Sequence, residues 1–293
     1  MPSADSSSPQ DAPDLRRVVP PERRRAGTRR GAIGGAAILA AIVAYAVFVP
    51  LLAGTDQKLT DFGSGRLPPS SAHWFGTDHA GRDLFTRLAS GLRVSLLIAA
   101  LCAVLAMGLG MLVGSVSAAA GGRTDRIIMR IIDAVNAVPH LLLGVVIVAM
   151  FRGSVIAIIA SIALTHWTQV ARIVRAEVLS VRGLEYVEAS YLLGGTPAQV
   201  IRRHFLPAAL GQGVVATVML MPHAIWHEST LSFLGLGLSP DRASLGTLMQ
   251  EAQAEVLLGG WWALVFPALL LLLAAWALAA CGGGLVSRIG GRS

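Results

Sequence analysis

Six long apolar runs govern what this chain can fold into. They lie at about residues 31–53, 94–119, 127–150, 154–174, 208–236 and 258–286, and nearly all of the charge falls between them. A hydrocarbon layer about 30 Å thick is crossed by roughly 20 helical residues, so each run is long enough to span. Composition agrees: 54% of residues are hydrophobic and 14% charged, against about 25% charged in soluble domains. The expected fold class is an all-α membrane protein with six transmembrane helices.

Four segments are expected. Residues 1–30, polar and rich in arginine from Arg16 to Arg30, form a disordered cytoplasmic tail; 31–53 form the first transmembrane helix, longer than the apolar core of a signal peptide. Residues 54–93 are extracytoplasmic, and 94–288 form a five-helix core that includes a polar loop at 185–207. Little more than Arg152-Gly153 separates the third run from the fourth, which demands a tight antiparallel turn.

The net charge of +7 could suggest nucleic acid. The basic residues instead sit beside apolar runs, and their sides are unequal. With both termini inside, 17 of the 24 basic residues are cytoplasmic and 7 are not, which favours an N-in, C-in topology. No nucleic-acid partner is expected. Cys102 and Cys281 lie in apolar runs at no metal-binding spacing and read as small hydrophobes.

The loop Glu185–Pro207 (EYVEASYLLGGTPAQVIRRHFLP) carries charges that hydrocarbon would not accept. Its residues predict two short helices and a bend. Gly194-Gly195 permits the turn, Thr196 is placed as an N-cap with Pro197 at the first helical position and Gln199 at the third, and the second helix is expected to end before Pro207. Taken alone, the loop is a helical hairpin between two spans.

Glu188-Ala189-Ser190, three residues, Gly194, nine residues and then His204-Phe205-Leu206-Pro207 resembles the EAA loop of permease subunits of bacterial ABC importers. Ser190 stands where that family usually has Ala, and His204 where many members have Ile. The resemblance implies that Glu185, Glu188, Ala189, Gly194, Leu206 and Pro207 belong to a coupling helix docking on a separate ATPase subunit.

A second stretch, His73-Trp-Phe followed by Gly76-Thr77-Asp78-His-Ala-Gly81-Arg82-Asp83, admits two readings. Asp78, Arg82 and Asp83 could form a surface ion-pair network, with Trp74-Phe75 as an interfacial anchor. The same letters, followed by FTRLASGLRVSL, resemble the approach to the second span in the dipeptide, oligopeptide and nickel branch of those permeases. Gly121 to Asp125 with Ile132-Asp133, His166-Trp167 with Ala171-Arg172 and Val174-Arg175, and Leu231 to Gly237 resemble further segments of that branch. The likeness runs from about residue 73 to 286.

Ionisable residues inside spans are costly, roughly 2.5–3.5 kcal/mol at the centre on insertion scales. Asp133 is expected to pair with Arg130 at i,i+3. His140 follows Pro139, which should kink the third helix, and reads as a satisfied bundle histidine. His223 and His227 share one face of the fifth helix at i,i+4, a spacing that suits either contacts to neighbouring helices or a borderline metal such as Ni²⁺. HAIWHEST with His166-Trp167 resembles the nickel and metal-chelate members more than the peptide members. His166, His223, His227 and Glu228 are therefore candidate substrate-path residues. Glu228 beside His227 also raises an intramembrane metalloprotease, but a zincin needs HExxH, and the position after His227-Glu228-Ser-Thr is Leu231.

The chain contains no GxxxxGK[ST] loop, so it does not bind ATP by that mechanism. The resemblance implies an inner-membrane permease subunit with the type I importer fold and no cofactor of its own. It further implies a homologous second permease, two subunits that bind ATP and Mg²⁺, and an extracytoplasmic solute-binding protein, within membrane lipid. Cargo stands open between small peptides and nickel or metal chelates, with a slight lean to the metal from His223 and His227. A non-transporting membrane scaffold is the remaining alternative.

Overall fold

The computed structural model describes residues 21–53, 60–239 and 242–289, with side chains from residue 31 to 286 within those ranges. Ten α-helices follow in order: α1 (Pro21–Ala53), α2 (Leu84–Ala120), α3 (Gly122–Ala137), α4 (His140–Met150), α5 (Val155–Arg182), α6 (Glu185–Leu192), α7 (Pro197–Val200), α8 (Leu206–Phe233), α9 (Leu245–Leu257) and α10 (Trp262–Ile289). Among the described residues the only β pairing is two isolated bridges.

Five helical stretches are long and apolar enough to cross a membrane: Gly31–Ala53, Leu84–Ala120, Val155–Arg182, Pro197–Phe233 and Trp262–Val286. The third expected span is broken. α3 and α4 meet at 79°, because Pro139 lacks an amide hydrogen and drives Val138 into an extended conformation. The kink anticipated at this proline is thus a full break. α2 and α5 finish side by side, where Arg182 donates to the Ala118 carbonyl at 2.8 Å, so α3 and α4 together carry the chain back across the bundle. The turn at Arg152-Gly153 is as tight as its length demanded: α5 starts at Val155, and Gly153 bridges to Leu238 beyond the end of α8.

Several boundaries differ from the expectation. α1 begins at Pro21, so residues 21–30 are helical where a disordered tail was expected, while 1–20 lie outside the described residues. Proline at the first helical position supplies a helix start upstream of the apolar run. α2 begins at Leu84, so residues 84–93 belong to a helix and not to the 54–93 segment. Asp83 caps it by accepting from the Thr86 amide at 3.1 Å, and the charged first turns project beyond the apolar stretch. α9 was not anticipated.

The core is built around α2, which packs on α5, α8 and α1, while α10 closes on α1 and α8. Leu88, Leu92, Cys102, Ile158, Ile162, Ile225 and Leu278 are among its buried side chains. Leu97, Leu101, Val104 and Leu112 on the outer face of α2 are more than half exposed. A soluble protein would bury such a stripe; here lipid covers it.

Candidate functional site

Three groups of predicted residues can be followed into the fold. The first is the 185–207 hairpin. α6 and α7 form the two arms of the predicted hairpin. Thr196 and Gln199 make the predicted capping box: the Gln199 amide donates to Thr196 Oγ1 at 3.3 Å, and the Thr196 amide to Gln199 Oε1 at 2.9 Å. Gly194 turns with φ +86°, a conformation that costs other residues roughly 1–2 kcal/mol. No atom lies within 4 Å of where its Cβ would stand, so the backbone alone requires glycine there.

The hairpin is anchored through Val187, Val200 and Phe205. All three are fully buried and pack with Val170, Val174 and Val178 of α5 and Ala209 of α8. Glu185 and Glu188 stand in the first turn of α6, where the helix dipole favours them, with Ala189 behind them. Leu192 and Leu193 point outward at 88% and 89% exposure, with Tyr186 half exposed. The second helix does not end before Pro207. α7 passes into a π-helical turn at Ile201–Phe205 and on into α8, with Leu206 and Pro207 as the first residues of that helix. Pro207 has no amide hydrogen to donate, and the wider π-helical turn before it accommodates its ring.

The second group is the set of buried polar residues in the bundle. His140, His166 and His227 come together from α4, α5 and α8, with ring centroids 5.4 Å apart for the first pair and 4.9 Å for the second. His166 uses Nδ1 on the Ile162 carbonyl at 2.9 Å. His223 is exposed and reaches its own helix, 3.4 Å from the Met219 carbonyl. Among the described residues no three His, Cys, Asp or Glu side chains are arranged to hold a metal ion. Three expectations need correction. His140 is not satisfied among the described residues, where its buried Nδ1 has no hydrogen-bond partner. Asp133 pairs with Arg172, not Arg130, because α5 passes beside α3 and offers the nearer guanidinium.

Glu228, the third, does not line an open path and does not serve His227. It is fully buried on another face of α8, where Ser95 donates to Oε2 at 2.7 Å and Ser232 to Oε1 at 2.9 Å. Ser95 Oγ also accepts the Leu245 amide of α9 at 3.2 Å. Its carboxylate is taken up by serines at the α2–α8–α9 junction, and among the described residues no cluster of His, Cys, Asp or Glu that could hold a metal ion includes it, so the protease arrangement is not formed.

The third group is the 61–83 segment. Its ion pairs are not a surface network. Asp78 and Arg87 are each 3% exposed. Asp78 accepts from the Ala80 and Arg82 amides at 2.8 and 2.9 Å and from Arg82 Nε at 2.7 Å, and it also meets Arg87. Arg87 continues to Glu251 of α9 at 2.9 Å, while Glu255 accepts from Arg66 at 3.2 Å and from the His79 amide at 2.9 Å. Thr77 donates to the Ser64 carbonyl at 2.7 Å and accepts the Leu67 amide at 2.8 Å; its own carbonyl takes Trp262 Nε1 at 3.1 Å. Asp83 adds His73 at 2.9 Å to its capping role. Gly76 and Gly81 both turn at φ +75°, and a Cβ on Gly81 would strike the Asp61 carbonyl. The motif is thus an internal clamp that holds α9 against α2. Arg87, Glu251, Glu255 and Ser95 were missed, and the only sequence trace was the i,i+4 pair of acids behind Ser244 and Thr247, which form a second capping box.

Comparisons with known proteins agree with this architecture. Residues 106–290 match the family described as binding-protein-dependent transport system inner membrane component. The dipeptide transport system permease protein DppC of Bacillus subtilis is 37% identical over 89% of this chain and 82% of its own length. The oligopeptide transport system permease protein OppC of Bacillus subtilis is 38% identical over 81% of this chain and 77% of its own. OppC of Escherichia coli is 34% identical over 84% and 82%. With its stacked apolar helices and a match across most of its length, the chain belongs to the binding-protein-dependent transport system inner membrane components, the multi-pass permease subunits of ABC importers.

Proposed function

We propose that this chain forms one side of a peptide-conducting path in an ATP-driven importer, and that the 185–207 hairpin is where the motor engages. The observation that carries this is the hairpin's construction. Its inner residues Val187, Val200 and Phe205 are locked into the bundle, its outer residues Leu192 and Leu193 are almost fully exposed, and its second arm is continuous with α8. A push on the outer surface would therefore move a membrane-crossing helix directly, as alternating access requires.

The partners are a homologous second permease, two subunits that bind ATP and Mg²⁺, and an extracytoplasmic solute-binding protein. Both termini and the hairpin face the cytoplasm through six crossings, the third approached along α3 at the membrane boundary and completed through α4; the charge asymmetry supports that orientation. Replacing Gly194 with Val tests the coupling role. Uptake should fall at least tenfold while ATP hydrolysis and membrane insertion persist; normal uptake by G194V sinks the coupling assignment, and absence of uptake by the wild type with its partners would favour the scaffold alternative.

Peptides are the favoured cargo, because the relatives over most of the chain are named as dipeptide and oligopeptide permeases. The convergence of His140, His166 and His227 supports a second reading, a path for nickel or a metal chelate with His223 at its edge. His223→Ala with His227→Ala separates them: abolished nickel uptake with peptide uptake retained would favour the metal, and peptide uptake without any nickel uptake by the wild type would exclude it.

A further inference from the structure

α3 carries positive charge that its surroundings do not answer. Arg123, Asp125 and Arg126 occupy its first turns, and Arg130 follows one turn on. The start of a helix favours negative charge, because its unpaired N–H groups leave a partial positive charge there. Asp125 could neutralise it, but its carboxylate is taken. Arg175 holds it through Nε and Nη2, both at 2.6 Å, and Ser117 donates to it at 2.6 Å. Asp133 is likewise occupied by Arg172. Arg123, Arg126 and Arg130 remain exposed, without an ion-pair partner among the described residues, and with Ile127 they line an open cavity of about 290 Å³.

The apolar residues of the same helix divide in two. Ile132 is buried against the bundle, whereas Ile127 and Ile131 are 60% and 53% exposed. Spacings of three and four residues place these two isoleucines alongside the three arginines on the outer face. A basic stripe beside an exposed apolar stripe is the pattern of a helix lying at a membrane–water boundary. α3 also starts at the appropriate level, since Gly121 stands against the Arg182 side chain at the hairpin end of the bundle.

We infer that Arg123, Arg126 and Arg130 bind the phosphate of an anionic phospholipid headgroup in the inner leaflet, with Ile127 and Ile131 set among the acyl chains. This rests on reading the hairpin end as cytoplasmic. Guanidinium groups suit phosphate oxygens, and a juxtamembrane basic cluster is drawn to anionic lipid. A soluble anion would use the arginines but leave both isoleucines in water.

Native mass spectrometry can test this on the full chain, purified with the subunits that accompany it and exposed to micelles holding equal amounts of phosphatidylglycerol and phosphatidylcholine. The wild type should retain several-fold more phosphatidylglycerol. Arg123→Gln, Arg126→Gln and Arg130→Gln together should bring the two lipids to parity, and the triple lysine variant should keep the preference. Arg202→Gln with Arg203→Gln, which lowers charge at the same end, should also keep it. An unchanged preference in the triple glutamine variant overturns the site, as does equal loss in the Arg202/Arg203 control. Displacement by inorganic phosphate would make it a soluble-anion site, and retention by the isolated chain but not by the assembled importer would give the surface to a protein partner; either result overturns the inference. Sidedness is read separately by labelling Thr124→Cys in a Cys102→Ala, Cys281→Ala background with an impermeant maleimide. Labelling from outside would sink the topology while leaving the lipid measurement interpretable.

Discussion

The two ends of the bundle solve opposite problems. At the Asp83 end, charged side chains are turned inward and matched: Asp78, Arg82, Arg87 and Glu251 form one connected network, and Glu255 pairs separately with Arg66 and His79, so that both ties hold the 61–83 segment to α9. At the other end the hairpin itself is fixed by its capping box, and leucines face outward. The first end pairs its buried charges within the chain, whereas the second has an anchored inner face and an exposed outer one. Burial of a paired charge is costly to disturb, while an exposed leucine contributes little to the monomer. The contrast therefore separates residues that hold shape from residues available to a partner.

The largest expected effect lies in the clamp. Asp78→Ala removes an acceptor from buried Arg87, and such a loss costs about 3–5 kcal/mol. Unfolding of the purified protein in detergent should show it; a change of only a few tenths would mean that the network is no more than surface decoration. Ser95→Ala comes next. It deprives Glu228 of a donor and the Leu245 amide of an acceptor, for about 1–3 kcal/mol in the same assay. An unaltered midpoint would show that the α2–α8–α9 junction does not depend on this serine.

At the other end the expected stability effect is smallest. Leu192→Ser with Leu193→Ser should stay within about 0.5 kcal/mol of the wild type. The same variant should nevertheless lose most of its co-purifying ATPase subunit. A large destabilisation would place the leucines in the fold, and full retention of the ATPase would remove them from the contact surface.

The two ends also differed in how far they could be read in advance. The hairpin is local: Thr196 and Gln199 are three residues apart, and Gly194 acts on its own φ. Short-range geometry of that kind is written into neighbouring letters. Its error, the helix end placed before Pro207, arose because proline was read as a stop when it stood at the start of α8. The clamp is not local. Arg87 and Glu251 lie 164 residues apart, and Arg66 and Glu255 lie 189 apart. α9 escaped notice for the same reason, because a 13-residue helix of mixed polarity acquires its burial only when α2 and α8 are already in place.

The membrane class and the approximate places of five apolar helices followed from the sequence by itself, since hydrocarbon accepts long apolar helices and little else. The Glu185–Pro207 hairpin was legible for a related reason: it depends on a cap and a turn that a few adjacent residues define. Only the tertiary structure decided what the charged and polar side chains do. Asp133 turned from Arg130 to Arg172, Glu228 from the histidines to the serines, and Asp78 from the surface to a buried arginine. A buried polar group takes whichever partner the packing of distant helices brings within about 3 Å, and no local pattern carries that information.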